Sequence, residues 1–238
     1  MSLEGQVALI TGATSGIGLA TARAMTAAGM KLAIAGRRAE RLRANAEDLG
    51  ECISLPGEIT DDGAPEALFQ QTLDHYGRLD VVFSNAGLIA NGPAEDIDLD
   101  DVSRMVRVNV EAMFRVMYLA VRHFKQQGSG HLVCTSSILG LKVRANIGAY
   151  AGTKYAVEAL AEALRLELSG TGIRITCVEP GLVATDLHRD FPEPPGKLQN
   201  INEPLVPDDV ARSVMFALEQ PPHVLIPRVL ILPREQPM

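Results

Sequence analysis

A short apolar run, Val7–Thr11, passes at once into Gly12-Ala13-Thr14-Ser15-Gly16-Ile17-Gly18, and a helical pattern (Leu19, Ala20, Ala22, Ala24, Met25) follows as far as Gly29. Strand, glycine-rich turn and helix in that order leave few folds open. A tight turn needs residues without a Cβ, and a helix that starts beside a strand end offers unpaired backbone N–H groups at its positive pole, a natural seat for a phosphate. A last glycine lets the helix lie close on the strand. An isolated glycine motif carries little. Its placement between a strand and a helix makes it a candidate dinucleotide site, with Gly12, Thr14, Ser15, Gly16, Ile17 and Gly18 as candidate ligands.

The rest of the 238-residue chain repeats the alternation. Apolar, β-branched runs follow at Leu32–Ala35, Cys52–Leu55, Leu79–Ser84, His131–Ser136, Ile173–Glu179 and Val224–Leu230. Helical periodicity fills roughly 17–28, 39–49, 62–76, 99–127, 150–169 and 207–219. Strands that are apolar throughout, alternating with helices, predict a parallel sheet covered on both faces. Pro227 within the last run suits an edge strand, where one missing N–H is tolerated. With 47% apolar residues, the chain can bury a sizeable core as one α/β domain, 1–238. The segment from Phe191 to Pro207 is Pro-rich and irregular, and residues 188–206 have the proline and charge content of a loop that could close over a site.

Charge and cysteine usage narrow the function. A net charge of −7, without any lysine and arginine run, argues against a nucleic-acid partner. No apolar stretch approaches a membrane span, and no signal-peptide pattern opens the chain. Cys52, Cys134 and Cys177 all fall in predicted strands without paired spacing, which reads as buried free thiols in a reducing cytoplasm. The five histidines are scattered and give little support for a metal site.

A second pattern carries chemistry. Tyr150 and Lys154 stand at i and i+4, on one face of a predicted helix, with Ser137 upstream. A free phenol, with a pKa of roughly 10, is too weak a base at neutral pH, and a nearby cation favours the phenolate. Such a pair could move a proton on and off an alcohol oxygen.

The glycine spacing, Gly-x-x-x-Gly-x-Gly, together with Asn85-Ala86-Gly87, Asn109, Ser137, Tyr150-x-x-x-Lys154 and Pro180-Gly181-x-Val183-x-Thr185 in that order, resembles the short-chain dehydrogenase/reductase family nearly end to end. The resemblance, with the right-handed crossover rule, implies a single-domain Rossmann fold, a doubly wound sheet of about seven strands in the order 3-2-1-4-5-6-7. It implies that Ser137 donates to the substrate oxygen, that Tyr150 gives or takes the proton, and that Lys154 binds the nicotinamide ribose and lowers the Tyr150 pKa. Asn109 would hold a water linking Lys154 to solvent. Ser136 competes for the serine role, but Ser137 stands thirteen residues before Tyr150, the spacing common in the family. Asn85, Ala86 and Gly87 would border the adenine and its ribose. Glu58, followed by Ile59, takes the place of the usual aspartate that meets the adenine amino group, and Ser84 stands where the family often has another asparagine. Pro180, Gly181, Val183 and Thr185 would hold the nicotinamide carboxamide.

The cofactor is read from the end of the second strand. An NAD(H) site usually places a carboxylate there for the ribose 2′-hydroxyl. This chain has Gly36-Arg37-Arg38, with no carboxylate until Glu40. Guanidinium groups suit a 2′-phosphate, so NADP(H) is expected ahead of NAD(H), with Arg37 the first ligand and Arg38 the second.

In the 99–127 and 150–169 helices, apolar residues extend beyond one stripe: Val108, Phe114 and Val121 in the first, Ala156, Ala159, Ala163 and Leu166 in the second. The surplus suggests a further partner, and the resemblance makes these helices the interface of a homo-oligomer, a dimer or tetramer. The substrate would be a small carbonyl compound or its alcohol, a 3-hydroxy acid or aldehyde, with Lys142 and Arg144 near the site as candidate anchors for an anion. A 3-oxoacyl carrier-protein reductase is the neighbouring alternative. A non-catalytic dinucleotide sensor is the alternative from another class, but it would have no use for the serine, tyrosine and lysine together.

Overall fold

The computed structural model of the chain describes residues 2–188, 191 and 195–237. Strands β1 (Val7–Thr11), β2 (Lys31–Gly36), β3 (Cys52–Pro56), β4 (Val81–Ser84), β5 (Gly130–Thr135), β6 (Ile173–Pro180) and β7 (Arg228–Ile231) form one sheet. It is parallel in every pairing, in the expected order β3-β2-β1-β4-β5-β6-β7. Helices α1 (Gly16–Ala27), α2 (Ala39–Leu49), α3 (Ala64–Tyr76), α4 (Leu99–Val106), α5 (Met113–Gln127), α6 (Gly148–Glu167), α7 (Pro195–Leu198) and α8 (Pro207–Leu218) connect or cover it.

The period-two geometry of a strand sorts its side chains between two cores. Ala8 and Ile10 point to the layer of α1, α2 and α8, which contributes Met25, Leu42, Val210 and Val214. Val7 and Leu9 point to the other layer, where Phe69, Met117, Phe124, Val157 and Leu164 arrive from α3, α5 and α6. Both faces of β1 are therefore buried along its whole length, which is why its sequence is apolar without alternation.

Two expectations need correction. The 99–127 stretch is not one regular helix, because residues Arg107–Ala112 form a π-helical segment between α4 and α5. The last strand does not begin at Val224. Proline lacks the N–H a ladder needs and restricts the residue before it, so β7 starts only at Arg228, and Pro227 contributes its carbonyl to Cys177 N at 3.0 Å. The sheet edge is as expected. Of the apolar surplus on the long helices, Val108 and Val121 are buried and Phe114 and Ala156 half-buried, whereas Ala159, Ala163 and Leu166 are exposed. Val106, Tyr118 and Tyr155 face outward as well.

The Pro-rich segment also has some order. Val183 forms a parallel bridge with Leu205, and α7 lies between them, whereas residues 189, 190 and 192–194 of the expected closing loop lie outside the described residues. No helix of the described residues is long and apolar enough to cross a membrane.

Candidate active site

The order reverses between β1 and β4, and a cleft of about 770 Å³ opens above the carboxyl ends of the strands at that point. Its floor is the glycine turn. Gly12 has a φ of +68°, and a Cβ there would stand 2.8 Å from the Ala86 Cα; at Gly18 a Cβ would stand 2.4 Å from the Gly12 carbonyl oxygen. Neither position can take a side chain without moving backbone. Ser15, the N-cap of α1, makes no side-chain cap bond, so the first N–H groups of that helix face the cleft without one. Glycine cradle, helix start and two arginines fit a phosphate-bearing dinucleotide.

The strand ends are tied by Asn85. Its amide nitrogen donates to the Thr11 and Gly12 carbonyls at 3.1 and 3.2 Å, and its oxygen accepts from Thr135 Oγ1 at 3.0 Å. Thr11 Oγ1 in turn accepts from the backbone N–H groups of Asn85 and Ala86. The Asn85 side chain is thereby committed to holding β1, β4 and β5 together. Asn85, Ala86 and Gly87 all line the cleft.

Ser137, Tyr150 and Lys154 line the same cleft at its other end. Ser137 follows β5 and caps a 3-10 turn, its Oγ accepting from Leu139 N at 3.1 Å. It is also hydrogen-bonded to Tyr150. Ser136 turns its buried Oγ away to a place beneath Gly140, where a Cβ would stand 2.8 Å from it. Tyr150 and Lys154 come from the first turns of α6, and Lys154 Nζ sits 5.6 Å from the centre of the phenol ring. The ammonium donates to the Thr135 carbonyl at 2.9 Å, a partner that sequence spacing did not suggest.

The electrostatics depart from expectation. Burial pushes the Tyr150 phenol up to about 12, and the Ser137 hydrogen bond, not Lys154, is what opposes it. Burial also brings Lys154 down to about 8, countered by Cys134, Cys177 and Glu158. In the chain by itself Tyr150 is thus a proton donor, and Lys154 is not among the groups that lower its pKa. Asn109 lies in the π segment and both its amide N–H donors are used: it donates to Leu88 O at 2.8 Å and Thr153 Oγ1 at 3.2 Å, and its oxygen accepts from Leu88 N at 2.8 Å. A Cβ on Gly87 would meet Asn109 Oδ1 at 3.5 Å and Lys154 Nζ at 3.9 Å, so the two groups stand close together.

At the opposite end Arg37 and Arg38 both reach the cleft, together with Glu58 and Ile59. Arg37 is drawn to the Glu58 carboxylate at 3.5 Å. Arg38 donates to Ser15 Oγ at 2.7 Å and lies 3.5 Å from Asp186. Arg38, second in the sequence reading, is the one joined to the glycine turn. Pro180, Gly181, Val183 and Thr185 also line the cleft, and the Thr185 Cγ2 approaches to 3.3 Å of where a Gly16 Cβ would be. Of the two candidate anion anchors, Arg144 lines the cleft, held by Gln199 Oε1 at 2.5 Å, whereas Lys142 does not. Leu88, Ile89, Leu139, Ile147 and Leu182 supply apolar wall near Tyr150 that no motif announced.

The model of the short chain dehydrogenase family matches residues 6–195. Among curated proteins, glycine betaine reductase ATRR of Emericella nidulans is 34% identical over 99% of this chain, which spans only 19% of that protein's length. Among solved structures, the closed form of a serine dehydrogenase complexed with NADP+ superposes with a TM-score of 0.88 at 28% identity, covering 94% of each chain. A 3-ketoacyl-(acyl-carrier-protein) reductase from Brucella melitensis complexed with NADH gives 0.89 at 27% identity, covering 98% of this chain and 99% of that one.

Proposed function

The chain belongs to the short-chain dehydrogenase family, and from that premise we propose that it is an NADP(H)-dependent oxidoreductase interconverting a small carbonyl compound and its alcohol. The observation that carries this reading is the meeting of the Ser137 hydroxyl, the Tyr150 phenol and the Lys154 ammonium at one end of a cleft floored by the glycine turn. A nicotinamide dinucleotide in that cleft supplies or accepts the hydride. Gly12 to Gly18 would hold its pyrophosphate, Glu58 to Gly87 would border the adenine side, and Pro180 to Thr185 would grip the carboxamide. The relatives bound to NADP+ and to NADH are compatible with either dinucleotide. The arginine pair favours the 2′-phosphate.

Ser137 donates to the substrate oxygen and orients it. Tyr150, protonated at neutral pH, gives its proton to that oxygen as the carbonyl is reduced and takes it back in the reverse direction. Lys154, still charged at pH 7, offers a cation beside the phenol once the oxygen has given up its proton. Asn109 keeps the loop after β4 at a fixed distance from Lys154, the place from which a water could relay protons. The apolar wall suits a short substrate, and Arg144 at the rim suits one with a carboxylate, so a small hydroxy acid and its keto or aldehyde form are the best match. Val106, Tyr118, Tyr155 and Leu166, exposed on the long helices, suit a homo-oligomer contact, and the reducing cytoplasm is the proposed setting.

The test is a panel of aldehydes, neutral ketones and β-keto acids with NADPH and NADH, repeated with Tyr150→Phe. NADPH consumption should be fastest with a small anionic carbonyl compound. The variant should bind cofactor normally while losing about 100- to 10,000-fold in turnover, the usual worth of a positioned acid. Equal rates for the two proteins would remove Tyr150 from the reaction.

A further inference from the structure

The segment that follows β7 lies against the proposed nicotinamide loop. Gly181 N donates to Ile231 O at 2.8 Å, and a Cβ on Gly181 would stand 2.3 Å from Gln236 Oε1 and 2.9 Å from both Leu232 and Pro233 side chains. Gly181 is therefore obligatory because of residues some fifty positions later, not because of the cleft it lines. Gln236 is buried to 8% exposure, and its Oε1 accepts from Leu182 N at 2.8 Å. A tight turn, Gln236 N to Pro233 O at 2.9 Å, holds the side chain in place. Leu230 and Leu232 pack on the apolar cluster that contains Ile138, Leu139 and Tyr150.

The neighbouring residue reaches elsewhere. The Glu235 carboxylate accepts from Asn202 N at 2.5 Å, from Glu203 N at 3.3 Å and from Asn202 Nδ2 at 3.3 Å. Those donors, the Asn202 backbone foremost, hold its carboxyl below the usual range. Leu182 and Asn202 are the two ends of one excursion. Its stems are joined by Ala184 N to Leu205 O at 2.8 Å and by Leu205 N to Leu182 O at 3.0 Å. Thr185, Asp186, Leu187, His188, Phe191 and Gln199 of the excursion line the cleft.

We propose that Gln236 and Glu235 are positioning residues for the site, one fixing the outgoing stem at Leu182 and the other the returning stem at Asn202 and Glu203. Two consecutive side chains thereby set where the excursion enters and leaves, and hence where Thr185 and Phe191 stand relative to Tyr150. Neither side chain is itself part of the cleft lining, so each acts through the backbone it holds.

Amide hydrogen exchange on the full chain, with no cofactor or substrate added, reads this directly. In Gln236→Ala the Leu182 N–H loses a buried partner, so the amides of Leu182, Ala184 and Leu205 should exchange about tenfold faster, while those of β5 and β6 keep their protection. Gln236→Glu keeps an acceptor oxygen in the same place and should restore protection. Glu235→Ala changes an exposed side chain, cannot unfold the core, and should speed exchange at Asn202 and Glu203 alone. Unchanged exchange at Leu182 in Gln236→Ala, or Gln236→Glu no better than Gln236→Ala, overturns the proposal for Gln236. If Gln236→Ala does not fold, unchanged exchange at Asn202 and Glu203 in Glu235→Ala overturns it instead. The consequence for turnover rests on the reductase reading: kcat should fall about tenfold in Gln236→Ala, with the KM for the carbonyl compound little moved, and recover in Gln236→Glu. A chain inactive toward every carbonyl compound would sink that reading while leaving the exchange result to decide this one.

Discussion

Arg37 and Arg38 are adjacent in the sequence and differently employed in the fold. A pair of arginines where an NAD(H) site carries a carboxylate is legible from sequence alone, because the residue types carry the charge argument. Which of them matters is not legible. It depends on Ser15, 23 positions from Arg38, and on Asp186, 148 positions away. Each arginine has a carboxylate at 3.5 Å, Glu58 for Arg37 and Asp186 for Arg38, and what separates them is that Arg38 also stays beside the glycine turn at 2.7 Å from Ser15 Oγ. Arg38→Ala should therefore raise the KM for NADPH about tenfold or more relative to that for NADH, the worth of a charge-assisted bond to phosphate, and Arg37→Ala should raise the ratio less. Steady-state kinetics with both dinucleotides checks this. The opposite ranking would return the leading role to Arg37, and an unmoved ratio in both variants would end the case for NADP(H).

Among the elements, the π segment is the one the sequence did not announce. Apolar periodicity between 99 and 127 reads as a continuous helix, because one wider turn shifts the pattern by less than the width of an apolar stripe. The widening occurs at Arg107–Ala112 and carries Asn109, the buried polar residue of that segment. Such segments often accompany functional sites. Here the physical reason is visible: the carboxamide pairs with both backbone groups of Leu88 and with Thr153, joining the loop after β4 to the helix that bears Tyr150. Asn109→Ala strands the half-buried Leu88 N–H and C=O and should cost about 2–4 kcal/mol of stability, two unsatisfied groups at roughly 1–3 kcal/mol each with partial relief by water. The urea midpoint measures it. A loss under about 0.5 kcal/mol, the size of an ordinary surface change, would mean that the carboxamide ties nothing.

At the scale of the whole molecule, the parallel sheet follows from alternation, and its strand order, with the cleft above the strand ends, from the family resemblance taken with crossover handedness. The contacts made by residues 232–236 and the buried ionisable groups did not follow, because they join positions that no local pattern relates. Two of those groups give the fold an opposed response to pH. Glu179, at the end of β6, is raised to about 7 by burial and by Glu158 beside it, with Arg228 at 3.5 Å and Arg165 working against the rise. Between about 4.5 and 7 the native state keeps a proton that the unfolded chain releases, so this group costs stability as pH rises through that window. His131, on β5, is brought down to about 3 by burial, with Arg174 adding to it. Below its unfolded value of about 6.5 the unfolded chain takes up a proton that the native state refuses, so this group costs stability as pH falls. From pH 6.5 to 5 the histidine alone is worth about 2 kcal/mol, at about 1.4 kcal/mol for each pH unit. Over the same range Glu179 works in the opposite sense, and the wild-type protein should change little. Glu179→Gln keeps the shape of the side chain and removes its titration. Its stability should fall by about 2 kcal/mol from pH 6.5 to 5, while at pH 7.5 it should equal or exceed the wild type because no buried carboxylate has to ionise. Urea unfolding of both proteins at the three pH values decides it. Parallel curves would show that Glu179 holds no extra proton in the native state over this range.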